Sequence, residues 1–303
     1  MDGKDCSLYM SFRKTLDSVQ GMAIYGDEAY VLYHTGVCSV YNLASKDCEA
    51  AASFRLGSFN EGHPSEEYCN HANQAMFSGL HHQNNPIPLL YVTTGNSGGA
   101  DEDGYFYRCA VENITKTTDA LGRTVFSSQT LQTIIYKDQG PSPTGWEKPC
   151  WGAPAFYVDH ENSALYIFSA RYRTTKAYLQ YYDQNAFIVT RFPLPKIEDG
   201  NQVTLTALDI VDQFTVPFDI LFTQGGTLYQ GKIYHTFGFG NDDYPLGIRV
   251  YDLAGKAVAA RMDLSRSIFA DEEIECCAFY RGKLLCNTNH GKIYCVGKGI
   301  FPL

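Results

Sequence analysis

One short motif recurs five times along this chain of 303 residues and limits the folds that it can adopt. The motif is a small residue, a large apolar residue and an aromatic residue, and it begins at positions 23, 75, 155, 227 and 278. A polar turn and further strand-like segments follow each copy. The shortest spacings, about 50 residues, are close to the length of a four-stranded repeat unit. The copies are Ala23–Tyr25, Ala75–Phe77, Ala155–Tyr157, Thr227–Tyr229 and Ala278–Tyr280.

This repeat predicts an all-β fold, a five-bladed β-propeller with four-stranded blades. The fifth copy lacks a fourth strand, because the chain ends at Leu303. The segment Tyr9–Leu16 resembles the fourth strands of the other copies. We therefore expect this N-terminal segment to close the last blade and to remove an open sheet edge. A β-sandwich with a long excursion is the alternative architecture.

The blades are expected to form a single domain over residues 1–303. In the third blade, the third strand is expected at Tyr178–Tyr182 and the fourth at Phe187–Leu194. The blade boundaries are expected at about residues 17–56, 71–136, 151–194, 222–264 and 274–303, with residues 9–16 completing the last blade.

Composition and charge exclude several classes of protein. The formal net charge of −9 repels phosphate backbones, so we do not expect nucleic-acid binding. The longest apolar runs have the length of strands, so no membrane span is predicted. No apolar leader segment is visible at the N-terminus. The protein is therefore expected to be either cytoplasmic or exported with its leader removed, and the oligomeric state is left open.

The ten cysteines show no Cys-x-x-Cys spacing, and most of them are expected to be small buried side chains. A disulfide such as Cys286 with Cys295 stays open for an oxidising compartment. The histidines show neither a His-x-x-x-His nor a His-Glu-x-x-His pattern. We therefore predict no metal site and no cofactor.

Polar residues precede the repeated motif in several copies. Gln20, Gln224 and Glu275 occupy equivalent positions, and His71 and Asn73 precede the second copy. Because the first strand of each blade lines the channel of a propeller, these side chains are expected to converge at one end of it. They would orient a ligand there, or they would bond to channel water and to neighbouring backbone.

Two loop regions add candidate ligand-binding residues. Both tryptophans of the chain, Trp146 and Trp151, lie in the segment Lys137–Pro154. Their rings would either stack on a sugar or another flat ligand, or fill the mouth of the channel. Arg171 alternates with Arg173 and offers a bidentate site for an anion, with a solvated strand end as the alternative.

Blade four carries a more specific resemblance. The segments Phe222–Gly226 (FTQGG), Gly231–Tyr234 (GKIY) and Ile248–Asp252 (IRVYD) resemble five-bladed propellers of the bacterial and plant glutaminyl cyclotransferase type. They are also similar to propellers related to helveticin J and to teichoic acid biosynthesis protein C. A cyclotransferase activity would imply that Glu275 acts as the acid–base group and that Gln20 and Gln224 orient the substrate.

Three functions are therefore considered. The favoured interpretation is a non-enzymatic propeller that binds a glycan, a peptide or a small molecule at the loop-rich mouth of the channel. The first alternative is an enzyme of the glutaminyl cyclotransferase or lyase/hydrolase type. The second alternative is a scaffold for protein partners.

Overall fold

Five sheets, each with a core of four antiparallel strands, make up the computed structural model of the protein. They are arranged as a five-bladed β-propeller, so the fold predicted from the repeat is confirmed. Among the described residues, no helix has the length and hydrophobicity required to span a membrane. The structure describes residues 6–16, 19–59, 72–94, 100–101, 104–137, 145–147, 151–172, 183–264, 269 and 272–297.

The first blade is an up-and-down meander whose strands follow each other directly in sequence. Gly26, in the turn after the first repeated motif, has φ of 59°, a left-handed conformation that glycine adopts without steric cost. The tight turn keeps the first two strands adjacent, as the motif predicts. The first strand that the structure describes is β1 (Cys6–Ser11). The first blade consists of β2 (Val19–Tyr25), β3 (Glu28–Tyr33), β4 (Val37–Asn42) and β5 (Ala52–Arg55).

The second blade carries the longest hairpin of the described chain. Its two outer strands continue well past the sheet core and bulge between Thr130 and Gln132. A short 3₁₀ helix, Gly57–Phe59, links the first blade to this hairpin. The strands are β6 (Gln74–Phe77), β7 (Leu90–Thr94), β8 (Ala100–Asp101), β9 (Gly104–Thr118) and β10 (Thr124–Lys137).

The third blade corrects the expected strand assignment. The segment expected as its fourth strand pairs directly with the second strand and is therefore the third strand. The fourth strand comes later, so this blade extends to Pro217 instead of ending at residue 194. The expected third strand, Tyr178–Tyr182, lies outside the described residues. The strands are β11 (Trp151–Asp159), β12 (Ala164–Ala170), β13 (Ala186–Pro193) and β15 (Asp212–Pro217).

The connection between the last two strands of this blade also serves its neighbour. It contains β14 (Gln202–Leu205), which pairs in parallel with β10 and extends the second blade by one strand. Two short 3₁₀ helices, Ile197–Asp199 and Ala207–Asp209, flank β14. The second and third blades are therefore joined through backbone hydrogen bonds as well as through side-chain packing.

The last two blades complete the ring, and β1 pairs antiparallel with the final strand. The predicted closure by the N-terminal segment is therefore confirmed, with the strand lying somewhat earlier than expected. After Ser11 the chain leaves the sheet, and the amide of Arg13 donates to the carbonyl of Cys48 in the first blade at 2.7 Å. The strands are β16 (Thr223–Tyr229), β17 (Lys232–Phe237), β18 (Gly247–Asp252), β19 (Ala257–Asp263), β20 (Ile274–Tyr280), β21 (Lys283–Thr288) and β22 (Lys292–Val296).

Large aromatic side chains fill the space between neighbouring blades. Tyr157 of the third blade and His235 of the fourth are completely buried, and the tyrosine hydroxyl lies 2.5 Å from the imidazole Nδ1. Burial lowers the pKa of His235 to about 3, so the imidazole stays neutral and bonds to the phenol. The high tyrosine content thus serves interblade packing with a polar contact at its centre.

The positions of Cys286 and Cys295 decide whether these two cysteines form the disulfide that the sequence left open. Cys286 lies directly opposite Tyr294, whereas Cys295 is the next residue along β22. Successive residues of a strand point to opposite faces, so the two thiols belong to different interblade cores and form no disulfide. All eight cysteines that the structure describes are free, and of these only Cys48 is exposed.

A buried carboxylate fastens the first blade to the second. Glu112 is fully buried and accepts hydrogen bonds from the amides of Gly57 and Ser58 at 3.0 and 2.9 Å. It also accepts hydrogen bonds from the hydroxyls of Ser128 and Thr130 at 2.7 and 2.9 Å. Four donors converge on one charge, which compensates for its burial.

We predict that Glu112→Gln lowers the free energy of unfolding by about 1.5–3 kcal/mol, because a neutral amide cannot accept from all four donors. Denaturant unfolding measures this change. Glu161→Gln, at an exposed turn residue, is the control and should leave stability unchanged. Equal stabilities of the two variants would contradict the anchoring role of Glu112.

Candidate functional site

The first strands of the blades meet at the axis through direct backbone contact. The amide of Gly21 donates to the carbonyl of Ala72 at 2.9 Å. A Cβ atom on Gly225 would lie 2.6 Å from the carbonyl oxygen of Asn73 and 2.9 Å from that of Glu275. Such distances allow only glycine, so the strand starts of blades one, two, four and five are held together at one end of the axis.

Polar side chains surround this contact. Gln20, Asn73, Gln224 and Glu275 are each at most 7% exposed, and each flanks one of the close approaches. The aligned repeats predicted that these residues lie at one end of the axis, and the structure brings the backbone at these four positions together there. These four residues and Glu273 form the axial polar cluster.

Sequence reasoning overlooked Glu273. It lies two residues before Glu275, and in extended chain this spacing places both carboxylates on the same side. The side-chain amide of Gln224 donates a hydrogen bond to the Glu273 carboxylate. The i, i+2 spacing of two glutamates at a strand start was the signal that would have identified Glu273 from the sequence.

The two carboxylates are electrostatically coupled. Burial raises the pKa of Glu273 to about 7, partly offset by the hydrogen bond from Gln224. Burial raises the pKa of Glu275 well above its usual range, and the negative charge of Glu273 raises it further. The pair therefore retains protons near neutral pH, where isolated glutamates are ionised.

Other atoms of the cluster are buried without a partner. The side-chain oxygen of Gln20 and both amide atoms of Asn73 have no hydrogen-bond partner within the part of the chain that the structure describes. Buried polar atoms in native proteins are nearly always satisfied. These three atoms are consequently available to a molecule that enters the cluster.

Beneath the cluster, the axis is bridged by a fully bonded network. The side chain of Gln74 crosses from the second blade to donate to the carbonyl of Gly226 in the fourth blade at 3.3 Å. Gln74 accepts from the hydroxyl of Thr93 at 2.5 Å, and this hydroxyl accepts from the amide of Phe156 at 3.0 Å. The axial polar cluster therefore has a floor of protein atoms.

An aromatic group lies close in sequence to Gln224. The rings of Phe222 and Phe239 are 3.7 Å apart between centroids, and Tyr244 lies 5.5 and 5.2 Å from them. Phe222 adopts φ of 63°, which is uncommon for a residue with a side chain. The carbonyl of Phe222 accepts from the amide of Gly238 at 2.8 Å, which fixes this conformation.

The candidate residues from the loops are not part of the axial polar cluster as the structure describes it. Trp146 is half-buried and packs against the hydrophobic core that includes the third blade. The guanidinium of Arg171 makes a bidentate pair with Glu147 at 2.5 Å, so the anion expected at this residue is replaced by a carboxylate of the protein. His71 lies outside the described residues, and only the backbone of Trp151, at the start of β11, is described. Within those residues, no group of three or more acidic, histidine or cysteine side chains is arranged to hold a metal.

No protein-family model matches the chain, and the search of curated proteins gave no match. Among solved structures, the chain is similar to the glutaminyl cyclase of Myxococcus xanthus, with 12% identity and a TM-score of 0.48, covering 96% of this chain and 95% of that one. It is also similar to the computationally designed Ika8 protein, with 7% identity and a TM-score of 0.37, covering 96% of this chain and 99% of that one. A third similar structure is the hydrazine synthase of Kuenenia stuttgartiensis, with 11% identity and a TM-score of 0.39, covering 88% of this chain and 61% of that one. The first of these structures is of the glutaminyl cyclase type that the sequence resembles, and similarities of this size do not assign an activity.

The carboxylate pair predicts an unusual dependence of stability on pH. Because the pKa of Glu273 is about 7 in the folded protein against about 4.5 ordinarily, the folded state binds the proton more tightly. The free energy of unfolding should therefore fall as the pH rises from about 4.5 to about 7.

In Glu273→Gln this decrease should be smaller, by an amount on the order of 1–3 kcal/mol. Guanidinium unfolding at pH 5, 6, 7 and 8 measures the slope for both proteins. Glu161→Gln is again the control. An identical slope in Glu273→Gln and the wild type would show that burial does not perturb the pair.

Proposed function

We propose that this protein is a ligand-binding β-propeller that holds a small polar ligand in the axial polar cluster without transforming it. The observation that carries the proposal is the set of orphaned atoms on Gln20 and Asn73. Each buried, unsatisfied group costs about 1–3 kcal/mol in the ligand-free protein. A ligand that bonds to these atoms recovers that free energy, and so binding is favoured.

The chemistry of the cluster favours a ligand with several hydrogen-bond donors. The free oxygens of Gln20 and Asn73 accept hydrogen bonds, whereas only the Asn73 amide nitrogen among the orphaned atoms donates. A sugar with neighbouring hydroxyls or a peptide with amide N–H groups meets this requirement. The floor formed by Gln74 limits how deeply such a ligand enters.

Four further residues that the sequence singled out would complete the proposed site. Trp146 and Trp151 would supply flat surfaces against which a sugar ring or a peptide side chain stacks. His71 would add a polar group next to Asn73. Arg171 would act indirectly, because its pair with Glu147 holds the segment that carries Trp146.

The test uses Asn73→Leu, which replaces an orphaned amide by an apolar group of similar size. We expect the free energy of unfolding of the ligand-free protein to stay the same or rise, because an unsatisfied polar group is removed. Binding of the ligand found in a glycan array or a peptide and metabolite screen should weaken by at least about tenfold. Calorimetric titration measures the binding.

Asn201→Leu, at an exposed site, is the matched control and should bind like the wild type. Trp146→Ala and Trp151→Ala test the stacking surfaces separately from the polar cluster. If Asn73→Leu is strongly destabilised and still binds the ligand normally, then Asn73 is a structural residue and the proposed site is wrong.

The coupled carboxylates favour acid–base catalysis as a second candidate function. An acid–base group works best when its pKa lies near the operating pH, and Glu273 and Glu275 both have raised pKa values. In the cyclotransferase reaction, the α-amine of an N-terminal glutamine attacks its side-chain amide carbon and ammonia leaves. A protonated Glu275 would donate a proton to the departing ammonia, and the carboxylate so formed would accept the proton that the attacking amine releases.

Ammonia release from a peptide with an N-terminal glutamine measures this activity. Glu275→Gln should lower kcat by roughly 10²–10⁴-fold, because the amide cannot transfer the proton. Glu161→Gln should retain full activity. Absence of turnover in the wild-type protein would eliminate the cyclotransferase and leave the binding function.

A further inference from the structure

A second concave site lies at the opposite end of the blades from the axial polar cluster. It occupies the side of the third blade that faces the fourth, and its volume is about 270 Å³. β11 runs from Trp151, at the cluster end, to Asp159 in this second site, a distance of roughly 25 Å at the usual rise per residue. We call this second site the Arg191 basin. Its lining includes Asp159, Tyr166, Val189, Arg191, Asp212, Phe214 and Leu253.

Arg191 is the central feature of the basin. Its Nε atom is buried and has no hydrogen-bond partner, and within the described residues its guanidinium makes no ion pair. Asp212 lies directly opposite Arg191 on the neighbouring strand. The Asp212 carboxylate is instead held by the ammonium of Lys256 at 2.7 Å. A partly buried guanidinium therefore faces the basin with unused donors.

Tyr166 supplies a second unused group. It lies opposite Arg191 on β12, and its ring is 9% exposed. The hydroxyl has no hydrogen bond to any group in the described ranges. Burial raises the pKa of Tyr166, the charge of Arg191 lowers it, and Asp159 and Asp212 raise it, so the phenol stays protonated among these charges. It can donate a hydrogen bond to an acceptor bound at Arg191.

We propose that the Arg191 basin binds a small monocarboxylate with an apolar tail. The fork of the guanidinium Nε and terminal nitrogen matches the two oxygens of a carboxylate, and the Tyr166 hydroxyl adds a third hydrogen bond. Val189, Phe214 and Leu253 offer the tail an apolar surface. The volume lies just below the ~300–1,000 Å³ of pockets for drug-sized ligands, so the ligand is smaller than these.

The charges around the basin select a monoanion over a dianion. Among the residues that the structure describes around the basin, Asp159 and Asp212 add two negative charges near Arg191, and Lys256 supplies one more positive charge. The protein groups therefore sum to about zero, and phosphate or sulfate would bring two uncompensated charges. Asp159 is held in place by the amide and the side chain of Asn162 at 3.2 and 2.8 Å, so its charge cannot swing away.

Calorimetric or NMR titration of the full chain with phenylacetate, acetate and inorganic phosphate tests the proposal. We expect saturable binding of phenylacetate, weaker binding of acetate, which lacks the tail, and weakest binding of phosphate. Arg191→Gln should weaken phenylacetate binding by about 10- to 100-fold, since it removes a charge-assisted bidentate contact. Arg191→Lys should also weaken it, because an ammonium lacks the fork.

Two control variants and one further test variant show whether binding takes place at the Arg191 basin. Arg55→Gln removes an exposed arginine from β5 and should leave the affinity unchanged. Tyr166→Phe keeps the packing of the ring and should weaken binding by roughly fivefold through the loss of one hydrogen bond. Asn73→Leu should bind phenylacetate like the wild type, so this experiment tests the basin independently of the ligand site proposed in the axial polar cluster. The absence of saturable binding, binding that is unchanged in Arg191→Gln, or tighter binding of phosphate would each overturn the proposal.

Discussion

The pairing of β1 with β22 is the contact on which the rest of the propeller depends. It joins the two ends of the chain in one sheet, with Cys6 opposite Val296 and Ser11 opposite Lys292. Met10 and Phe12 then become part of the core between the last and the first blade. Without this pairing, β22 would be an open edge, and the interface between those two blades would lose part of its apolar surface.

A closed ring brings the first strands of the blades to one axis, and the candidate site is a consequence of that geometry. Gly225 allows backbones of three blades to touch, and the side chains beside this contact are excluded from water. The orphaned atoms of Gln20 and Asn73 and the pair of Glu273 and Glu275 cost stability. The fold tolerates this cost because polar groups elsewhere between the blades are hydrogen-bonded, as Glu112 is to its four donors.

Much of the fold was predictable because a propeller is built from local hairpins. The repeated motif, the turns after it and the alternating apolar pattern are written in consecutive residues, so they indicate blade number and closure directly. The same repeats aligned Gln20, Gln224 and Glu275, which the structure brings together with Asn73. The third blade was misassigned because its fourth strand follows a long connection, and spacing alone does not decide which segments pair.

The sequence by itself thus determined the class of fold, the number of blades and the end of the axis at which polar residues converge, since all three follow from local periodicity. Only the tertiary structure decided which charges meet. It paired Arg171 with Glu147 and Asp212 with Lys256, and among the described residues it left the guanidinium of Arg191 without an ion-pair partner. It also placed the partly buried Glu273 close to the buried Glu275. These outcomes depend on distances between residues far apart in the chain and on burial, and neither quantity is encoded in any short segment.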